Sequence, residues 1–186
     1  VTAYYTIETK DGELEVTPVE IEITAASDSK TYDGTALTKN AWEITNGKLV
    51  GNDAITVTVT GSQTAVGKSD NVASDATVTT GLQGNYKFSY VDGTLEVTKN
   101  TNKITITANS KDRVYNGEAL TEAGYDYTKD ILAKGDTLTA VVEGTITNVG
   151  KEANVVTSYA VTNEAGEDVT AYYTIETKDG ELEVTP

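Results

Sequence analysis

The sequence contains no cysteine, no histidine and no methionine. Without cysteine the chain forms no disulfide and offers no thiolate, and without histidine it lacks the usual imidazole base and metal ligand. A catalytic nucleophile and its base would have to come from hydroxyls, lysines or carboxylates. The sequence also contains no nucleophile elbow, no glycine-rich phosphate loop and no zinc-binding spacing. We therefore expect no enzyme activity, no catalytic residue, no metal site and no cofactor.

Basic residues are also few, with 14 lysines and arginines against 29 acidic residues and a formal net charge of −15. A field of this sign repels phosphate backbones and anionic lipid surfaces, so we expect no nucleic-acid partner. No stretch approaches the roughly 18 to 20 consecutive apolar residues that span a bilayer, so we expect no membrane insertion. With only two prolines and 16 glycines, the composition is neither that of collagen nor that of a low-complexity linker.

The apolar residues that are present favour β-strands. Valine, isoleucine, leucine and tyrosine dominate, and threonine is abundant beside them; such residues suit a pleated, half-buried surface. Within residues 54–61, Ile55, Val57 and Val59 alternate with threonines, which is the period of a strand with one buried face. The same alternation recurs at Leu138, Ala140 and Val142. The sequence therefore predicts an all-β fold.

An internal repeat divides the chain. Residues 23–38 align without a gap with residues 106–121. After a short insertion behind Gly150, residues 85–98 align with residues 172–185. Self-similarity of this length indicates that one structural unit occurs twice, as two diverged copies.

The two copies set the predicted domain boundaries. Residues 1–18 are identical to residues 169–186, the end of the second copy, and are interpreted as the terminal hairpin of a preceding repeat. A first β-rich repeat domain then spans residues 19–99 (the first unit) and a second spans residues 100–186 (the second unit). Short joints without flexible linkers predict an elongated rod cut from a longer tandem array. The orphan hairpin is expected to pack on the following unit or on a neighbouring molecule, unless the unit boundaries are out of phase.

Asp-Gly dipeptides near the end of each copy predict β-hairpins. Around Asp92-Gly93, the turn and the apolar pattern agree on one strand register. Around Asp179-Gly180, the same register places Glu176 opposite Glu183, a like-charge pair that costs up to about 1 kcal/mol. We interpret this pair as exposed rather than as an acid–base pair or a cation site.

A further turn signal is Asp33-Gly34, which the second copy matches with Asn116-Gly117. Aspartate and asparagine tolerate the left-handed backbone of such a turn, and glycine adopts it freely. Because an amide replaces the acid in the second copy, Asp33 is interpreted as a turn residue rather than as a ligand or a catalyst. Helical character is confined to residues 128–136, which predicts at most one short helix or turn in each unit.

An intramolecular isopeptide bond is one functional interpretation of the lysines. Such a bond needs a lysine, an asparagine or aspartate acceptor and a nearby carboxyl group that moves the proton. Lys30 and Asn85 are the candidate pair, but they align with Arg113 and Tyr172, which cannot form the bond. The alignment therefore argues against a shared isopeptide site.

Two clusters offer groups that can bind ligands. The acidic loop at residues 162–170 matches no calcium-loop spacing, so a solvated loop is favoured; its carboxylates are Glu164, Glu167 and Asp168. Aromatic rings can stack on sugars, and the candidates are Trp42, Tyr125 and Tyr127. Trp42 and Tyr125 occupy the same place in the two units, which favours a shared core position. The sequence thus leaves the ligand-binding residues unknown.

Three segments resemble a known family. KTYDGTALT (30–38), DAITVTVTGSQTAVG (53–67) and NYKFSYVDGTLEVT (85–98) are similar to the MBG (mostly beta-grasp) and YDG-type tandem repeat domains of Gram-positive bacterial cell-surface proteins and adhesins. The resemblance covers both units nearly end to end. It implies a small β-grasp-like fold and an extracellular location on the cell wall surface.

The resemblance also implies a function. The expected role is that of a stalk, the repeat region of a secreted, cell-wall-anchored surface protein that extends or presents an adhesive tip. In the alternative, the repeats are themselves adhesin modules that bind a host glycoprotein, immunoglobulin, mucin or other glycan through an exposed strand edge or face. Neighbouring repeats of the same chain are the other expected partners.

Overall fold

The computed structural model describes residues 4–186, and from Val19 onward the chain folds into β-strands joined by turns. Within this range no α-helix is present and the only helical elements are three single 3-10 turns, so the predicted all-β class is confirmed. The strands of the first unit are β1 (Val19–Ala25), β2 (Asp28–Thr31), β3 (Trp42–Asn46), β4 (Ala54–Thr60), β5 (Gly67–Thr80), β6 (Tyr86–Val91) and β7 (Gly93–Thr98). The strands of the second unit are β8 (Lys103–Ala108), β9 (Lys111–Val114), β10 (Tyr125–Tyr127), β11 (Thr137–Glu143), β12 (Gly150–Thr162), β13 (Thr174–Lys178) and β14 (Gly180–Thr185).

Two sheets make up the first unit. One has the strand order β3-β1-β6, in which β1 pairs antiparallel with β3 and parallel with β6. The other has the order β2-β7-β5-β4, in which β2 pairs parallel with β7 and the other neighbours are antiparallel. The first two strands of the unit thus run parallel to its last two.

The second unit repeats this arrangement strand for strand. Its sheets have the orders β10-β8-β13 and β11-β12-β14-β9, again with parallel pairs between β8 and β13 and between β9 and β14. The alignment read from the sequence therefore corresponds to a repeat of the strand topology.

The predicted hairpin at Asp92-Gly93 is wrong, because the chain crosses there from one sheet to the other. β6 pairs with β1, so that Phe88 lies beside Ile21, whereas β7 pairs with β2 and β5. Gly93 lacks the positive φ that a two-residue hairpin turn requires. A Cβ on this residue would stand 2.5 Å from the carbonyl oxygen of Ala25. The glycine therefore permits a close approach of two backbones, the other common reason for glycine beside a strand.

The predicted hairpin at Asp179-Gly180 is wrong for the same reason. A Cβ on Gly180 would collide with carbonyl oxygens that follow β8, and β13 and β14 belong to different sheets. Glu176 and Glu183 are consequently not opposite each other. The Glu176 carboxylate lies 3.0 Å from the Lys103 ammonium, and Glu183 lies 3.4 Å from that of Lys151. Each carboxylate thus faces a lysine, and the predicted like-charge pair does not form.

The buried core is built on the inner strands of the sheets. The apolar residues that are almost completely buried include Ile21, Ile23, Leu95 and Val97 in the first unit and their counterparts Ile104, Ile106, Leu182 and Val184 in the second. The alternation predicted for β4 is confirmed, because its isoleucine and valines are half-buried and the threonines between them are exposed. In β11 the same alternation buries Leu138 and Val142.

In each unit, a buried asparagine side chain joins two neighbouring loops by hydrogen bonds. Asn71 on β5 is fully buried, and its amide donates hydrogen bonds to the carbonyl oxygens of Ala26 and Lys39 at 2.8 and 2.7 Å. Asn154 on β12 bonds the equivalent pair of carbonyl oxygens in the second unit. Gly61 packs against this side chain so closely that a Cβ there would stand 2.7 Å from Asn71 Oδ1. The aligned asparagines are therefore structural crosslinks between loops.

Residues 4–18 form no strand and lie on the surface. Leu14 and Val16 are 101% and 96% exposed, whereas the identical Leu182 and Val184 in β14 are 0% and 1% exposed. Residues 4–18 thus form no hairpin in this chain, while Val16, Thr17 and Pro18 border a cleft on the following unit; the assignment of residues 1–18 to a preceding repeat stays a prediction. The remainder of that prediction, residues 1–3, lies outside the described residues.

Helical structure is confined to short turns. Residues 128–136, which the sequence predicts as a short helix or turn, contain a single 3-10 turn at Lys129–Ile131. The corresponding stretch of the first unit contains only a turn. Across residues 4–186, no helix has the length and apolar character needed to cross a membrane.

Candidate functional site

The two units meet at the ring of Tyr32. This residue belongs to the first unit, yet only 4% of its surface is exposed, because the ring packs among residues of the second unit. It stands edge-on to Tyr172, with 4.9 Å between ring centroids, and to Tyr173, with 5.8 Å. Such aromatic pairs contribute about 0.5–1.5 kcal/mol each beyond the burial of area. Tyr32 therefore joins the buried clusters of the two units.

The Asp33-Gly34 turn aims Tyr32 at the second unit. The backbone N–H of Tyr32 donates to the carbonyl oxygen of Thr98 at 2.8 Å, which fixes the turn to the end of β7. The Asp33 carboxylate accepts a hydrogen bond from the backbone N–H two residues further on. Gly34 has a φ of +79°, and a Cβ on it would lie 3.3 Å from the Cβ of Ala133 in the second unit. Glycine is thus required for the turn, and it also lets the two units approach.

Tyr173 and Asp136 form the site that receives Tyr32. The Tyr173 hydroxyl donates a hydrogen bond to Asp136 Oδ2 at 2.6 Å and accepts one from the backbone N–H of Ala133 at 2.9 Å. The Tyr32 hydroxyl faces the same carboxylate. We call Asp136, Tyr173 and their immediate neighbours the receiving site.

The electrostatics of the receiving site keep its tyrosines neutral. Burial, and then the negative charge of Asp136, raises the pKa of Tyr32 to about 12. Burial and the hydrogen bond to Asp136 likewise raise the pKa of Tyr173 above its ordinary value. Both phenols are therefore protonated at neutral pH, so that each can act as a hydrogen-bond donor to the carboxylate.

The first unit contains an equivalent receiving site that is open. The Tyr86 hydroxyl donates to Asp53 Oδ2 at 2.6 Å and accepts from the backbone N–H of Val50 at 2.9 Å, as Tyr173 does with its own partners. The hydrogen bond to Asp53 raises the pKa of Tyr86. Beside these residues lies a cleft of about 470 Å³, bordered by residues 16–19, 50–53 and 84–86.

The second unit contains an equivalent of Tyr32 that is exposed. The backbone N–H of Tyr115 donates to the carbonyl oxygen of Thr185 at 2.8 Å, so this turn is fixed to its final strand in the same way. The ring of Tyr115 is 51% exposed. A Cβ on Gly117, the equivalent of Gly34, would meet no atom within 4 Å. Each unit thus contains both parts of one contact. One part is a tyrosine turn, at residues 32–34 or 115–117, and the other part is a receiving site.

The residues that the sequence proposed for an isopeptide bond lie apart. Lys30 Nζ donates to Asp33 Oδ1 and to Thr35 Oγ1, both at 2.7 Å, whereas Asn85 borders the open cleft. Asp33 and Asn116 are turn residues in the described chain, as predicted, because Asn116 Oδ1 also accepts a backbone N–H two residues on, at 3.0 Å. Lys30 and Asn85 therefore lie in different parts of the first unit and do not form the proposed pair.

The aromatic candidates for glycan binding lie at the ends of short strands, with Trp42 and Tyr125 at the start of theirs and Tyr127 at the end of β10. Trp42 in β3 is paired with Ala25, and Tyr125 in β10 is paired with Ala108. Both rings are half-buried and pack against the core of their own unit, which agrees with the predicted shared core position. Tyr127 is covered by the ammonium of Lys129, which lies 5.8 Å from the ring centroid.

Two of the three acidic candidates, Glu167 and Asp168, accept hydrogen bonds within their own loop, whereas Glu164 lies on the surface. Glu167 accepts a hydrogen bond from the side chain of Asn163 at 2.9 Å, and Asp168 accepts one from the backbone of Thr170 at 2.9 Å. Among residues 4–186, no three acidic side chains converge into a group that can hold a metal ion.

The sequence did not reveal that Tyr32 connects the units. The signal was present, because a tyrosine precedes the turn in both copies, at Tyr32 and Tyr115. The turn explained the aspartate and the glycine but not the aromatic ring. A bulky residue retained beside a surface turn indicates a packing partner outside the local segment.

Comparison with known protein families identifies a match to part of the chain. The model of the YDG domain family matches residues 17–93, which include the tyrosine turn and the open receiving site of the first unit. A search of curated proteins finds no match. The first unit is therefore similar to the YDG domain, in agreement with the resemblance read from the sequence.

Proposed function

We propose that the chain is a tandem-repeat segment of a secreted, cell-wall-anchored bacterial surface protein, in which the repeats space an adhesive tip away from the cell. The observation that carries this proposal is the contact between consecutive repeats, in which Tyr32 of the first unit enters the receiving site of the second. Two repeats that are packed together hold a distance better than two repeats on a free tether.

The remaining features of the proposal concern architecture and chemistry. The units, residues 19–99 and 100–186, are β-grasp-like domains arranged as an elongated rod. Neither unit is an enzyme, and neither uses a metal or a cofactor. A net charge of −15 supports an exposed, solvated role, because like-charged surfaces resist unwanted association.

Exposure on intact cells tests the location. Cells of the source organism are stained with antibodies raised against this chain, before and after brief protease treatment, with a cytoplasmic protein as the control. Staining of intact cells that the protease removes is the expected result. Staining that requires cell lysis would refute the proposed location.

A distance measurement tests the spacing role. Because the chain has no cysteine, spin labels can be placed uniquely at the exposed positions Thr58→Cys and Ser158→Cys, one in each unit. Dipolar spectroscopy should give one narrow distance distribution, which broadens in the Tyr32→Ala variant and stays narrow in Tyr115→Ala. A broad distribution in the unaltered background would contradict a spacing role.

A second function, direct adhesion, is favoured by exposed apolar residues on the second unit. Val141, Val155 and Tyr159 on β11 and β12 are 49%, 36% and 41% exposed. Immobilised host glycoproteins, immunoglobulins and mucins are tested for binding to this chain, with Tyr159→Ser as the matched variant. Saturable binding that Tyr159→Ser weakens would assign adhesion to the repeats and overturn the purely spacing role.

A further inference from the structure

Within residues 4–186, one tyrosine turn and one receiving site lack the neighbour that their counterparts have. Tyr32 fills the receiving site of the second unit, but Tyr115 is exposed. The receiving site at Asp53 and Tyr86 is likewise an open cleft. In a longer array, a tyrosine turn of the second type and a receiving site of the first type would meet between consecutive repeats.

We infer that the cleft beside Asp53 and Tyr86 is the docking site for a further unit of the second type, whose tyrosine equivalent to Tyr115 enters it. This inference rests on the proposed tandem arrangement and adds to it a specific surface and a specific occupant. The occupant has the sequence of residues 100–186.

The segment that leads into the cleft identifies the occupant. Residues 1–18 have the same sequence as residues 169–186, the closing strands of the second unit. Leu14 and Val16 are almost completely exposed, whereas the identical Leu182 and Val184 are buried in that unit. Apolar side chains in this pattern belong in the β14 position of a second-type unit, since burying them removes apolar surface from water and stabilises the fold.

The cleft has the chemistry to accept a tyrosine. The Asp53 carboxylate accepts a hydrogen bond from Tyr86, and an ionised carboxylate can accept several more. In the filled site, Asp136 accepts the hydroxyl of Tyr173 and faces that of Tyr32. A second phenol at Asp53 would therefore reproduce an arrangement already present in the chain.

The cleft also has room for the ring. Two residues that border the filled site are replaced by smaller ones in the first unit. Asn85 stands where the filled site has Tyr172, and Gly51 stands in place of Lys134. The open site therefore lacks the Tyr172 ring that Tyr32 meets in the filled site, and a cleft of about 470 Å³ lies there instead.

A small apolar cluster in the second unit corresponds to residues of the first unit that share a buried cluster with Tyr32. The small cluster comprises Leu120, Leu182 and Val184. The counterparts of these residues in the first unit are Leu37, Leu95 and Val97, and they belong to the cluster that continues into the neighbouring repeat through Tyr32. Docking at Tyr115 would extend the small cluster in the same way.

The connection into the cleft is shorter than the one between the two units. β1 begins at Val19, directly after Pro18, whereas residues 99–102 separate Thr98 from the start of β8. A docked unit would therefore be held closer to the cleft than the second unit is to the first, and at a different angle. The turn that carries its tyrosine is fixed to the last strand of the unit and does not depend on the connection.

An extended chain tests the inference. Residues 100–168 are placed before Val1, so that residues 1–18 complete a second-type unit in front of the intact chain. Nuclear magnetic resonance should show shifted signals for Asp53 and Tyr86 relative to the original chain. In the added unit, replacing the tyrosine equivalent to Tyr115 by phenylalanine should be coupled to Asp53→Asn by about tenfold in the unfolding equilibrium constant. The same replacement at Tyr115 itself, in the last unit, is the matched control and should show no coupling.

A glycine variant separates failure of docking from failure of the tandem arrangement. A Cβ on Gly180 collides with backbone oxygens in the second unit, whereas one on Gly12 meets nothing within 4 Å. Gly12→Ala should therefore unfold the added unit of the extended chain and leave the original chain unchanged. If Gly12→Ala has this effect but Asp53 shows no coupling and no shift, docking is overturned and the tandem arrangement stands. If Gly12→Ala changes neither chain, residues 1–18 do not close a repeat, and both are overturned.

Discussion

Tyr32 of the first unit meets Tyr172 of the second edge-on, with 4.9 Å between the ring centroids and an interplanar angle of 66°. The two residues lie in different copies of the repeat, and their backbones are fixed by hydrogen bonds within their own units. The contact therefore transmits the position of one unit to the other.

Truncation of Tyr32 should weaken the coupling between the units. Tyr32→Ala removes a buried ring, and we expect a loss of about 3 kcal/mol. Tyr115→Ala, at the equivalent but exposed position, should cost within about 0.5 kcal/mol. Urea unfolding can be followed by the fluorescence of Trp42, the single tryptophan, which lies in the first unit. Equal losses for the two variants would show that Tyr32 does not connect the units.

High pH should destabilise the same contact. The pKa of Tyr32 is about 12 in the folded chain, against an ordinary value of 10.0. A raised tyrosine pKa means that its stabilisation is complete below about pH 10 and is lost as the pH rises towards about 12, by about 2 kcal/mol. Tyr32→Phe should reduce this alkaline loss, whereas Tyr115→Phe should not. Tyrosinate absorbance and urea titrations across this range measure both effects, and an unchanged pH profile in Tyr32→Phe would contradict them.

Low pH should weaken the turn at Asp33 but not the equivalent turn at Asn116, which has no carboxylate. The Lys30 ammonium and the hydrogen bonds from Thr35 hold the pKa of Asp33 at about 2, below its ordinary value of 3.8. The stabilisation is therefore complete above about pH 4 and is lost as the pH falls towards 2.

The stabilisation by the Asp33 carboxylate is below about 1 kcal/mol, because this carboxylate is largely exposed and solvent screens it. Asp33→Asn gives the first unit the residue that Asn116 supplies in the second, and it should remove this acid dependence without changing the fold. The measurement is the thermal midpoint at several pH values. Equal acid sensitivity of the variant and the parent would contradict the assignment.

Gly61 should tolerate no side chain. A Cβ there would stand 2.7 Å from Asn71 Oδ1 and 2.8 Å from the carbonyl oxygen of Asp70. Gly61→Ala should therefore cost about 2 kcal/mol or more through overpacking. Gly84→Ala is the control, since a Cβ at that position meets no atom within 4 Å. Urea midpoints for the two variants give the comparison, and a tolerated Gly61→Ala would show that the loop can move away from Asn71.

Local patterns in the sequence predicted the strands but not all of their partners. The alternation in β4 and β11 is a property of consecutive residues, and it was read correctly from the sequence. The pairing of β1 with β6 joins residues far apart in the chain, and no local pattern encodes it. Asp92-Gly93 misled the prediction because glycine serves two purposes, a left-handed turn and a close backbone crossing, and only the second applies there.

The candidate site was predictable only in part, for a related reason. The Asp33-Gly34 turn follows from local backbone chemistry and was identified. The ring of Tyr32 is explained by a surface on the other unit, which is assembled from residues such as Asp136 and Tyr173. Comparing the two copies reveals that the tyrosine is retained, but it does not reveal where the ring points.

The parallel pairing of the first two strands of each unit with its last two has a mechanical consequence. In each unit the chain enters along β1 and β2 and leaves along β6 and β7, or along their counterparts, and these segments lie side by side in the same direction. A force applied between the entry and the exit pulls the adjacent strands in opposite directions along their length. The hydrogen bonds of both parallel ladders are then loaded together in shear instead of opening one by one from an end.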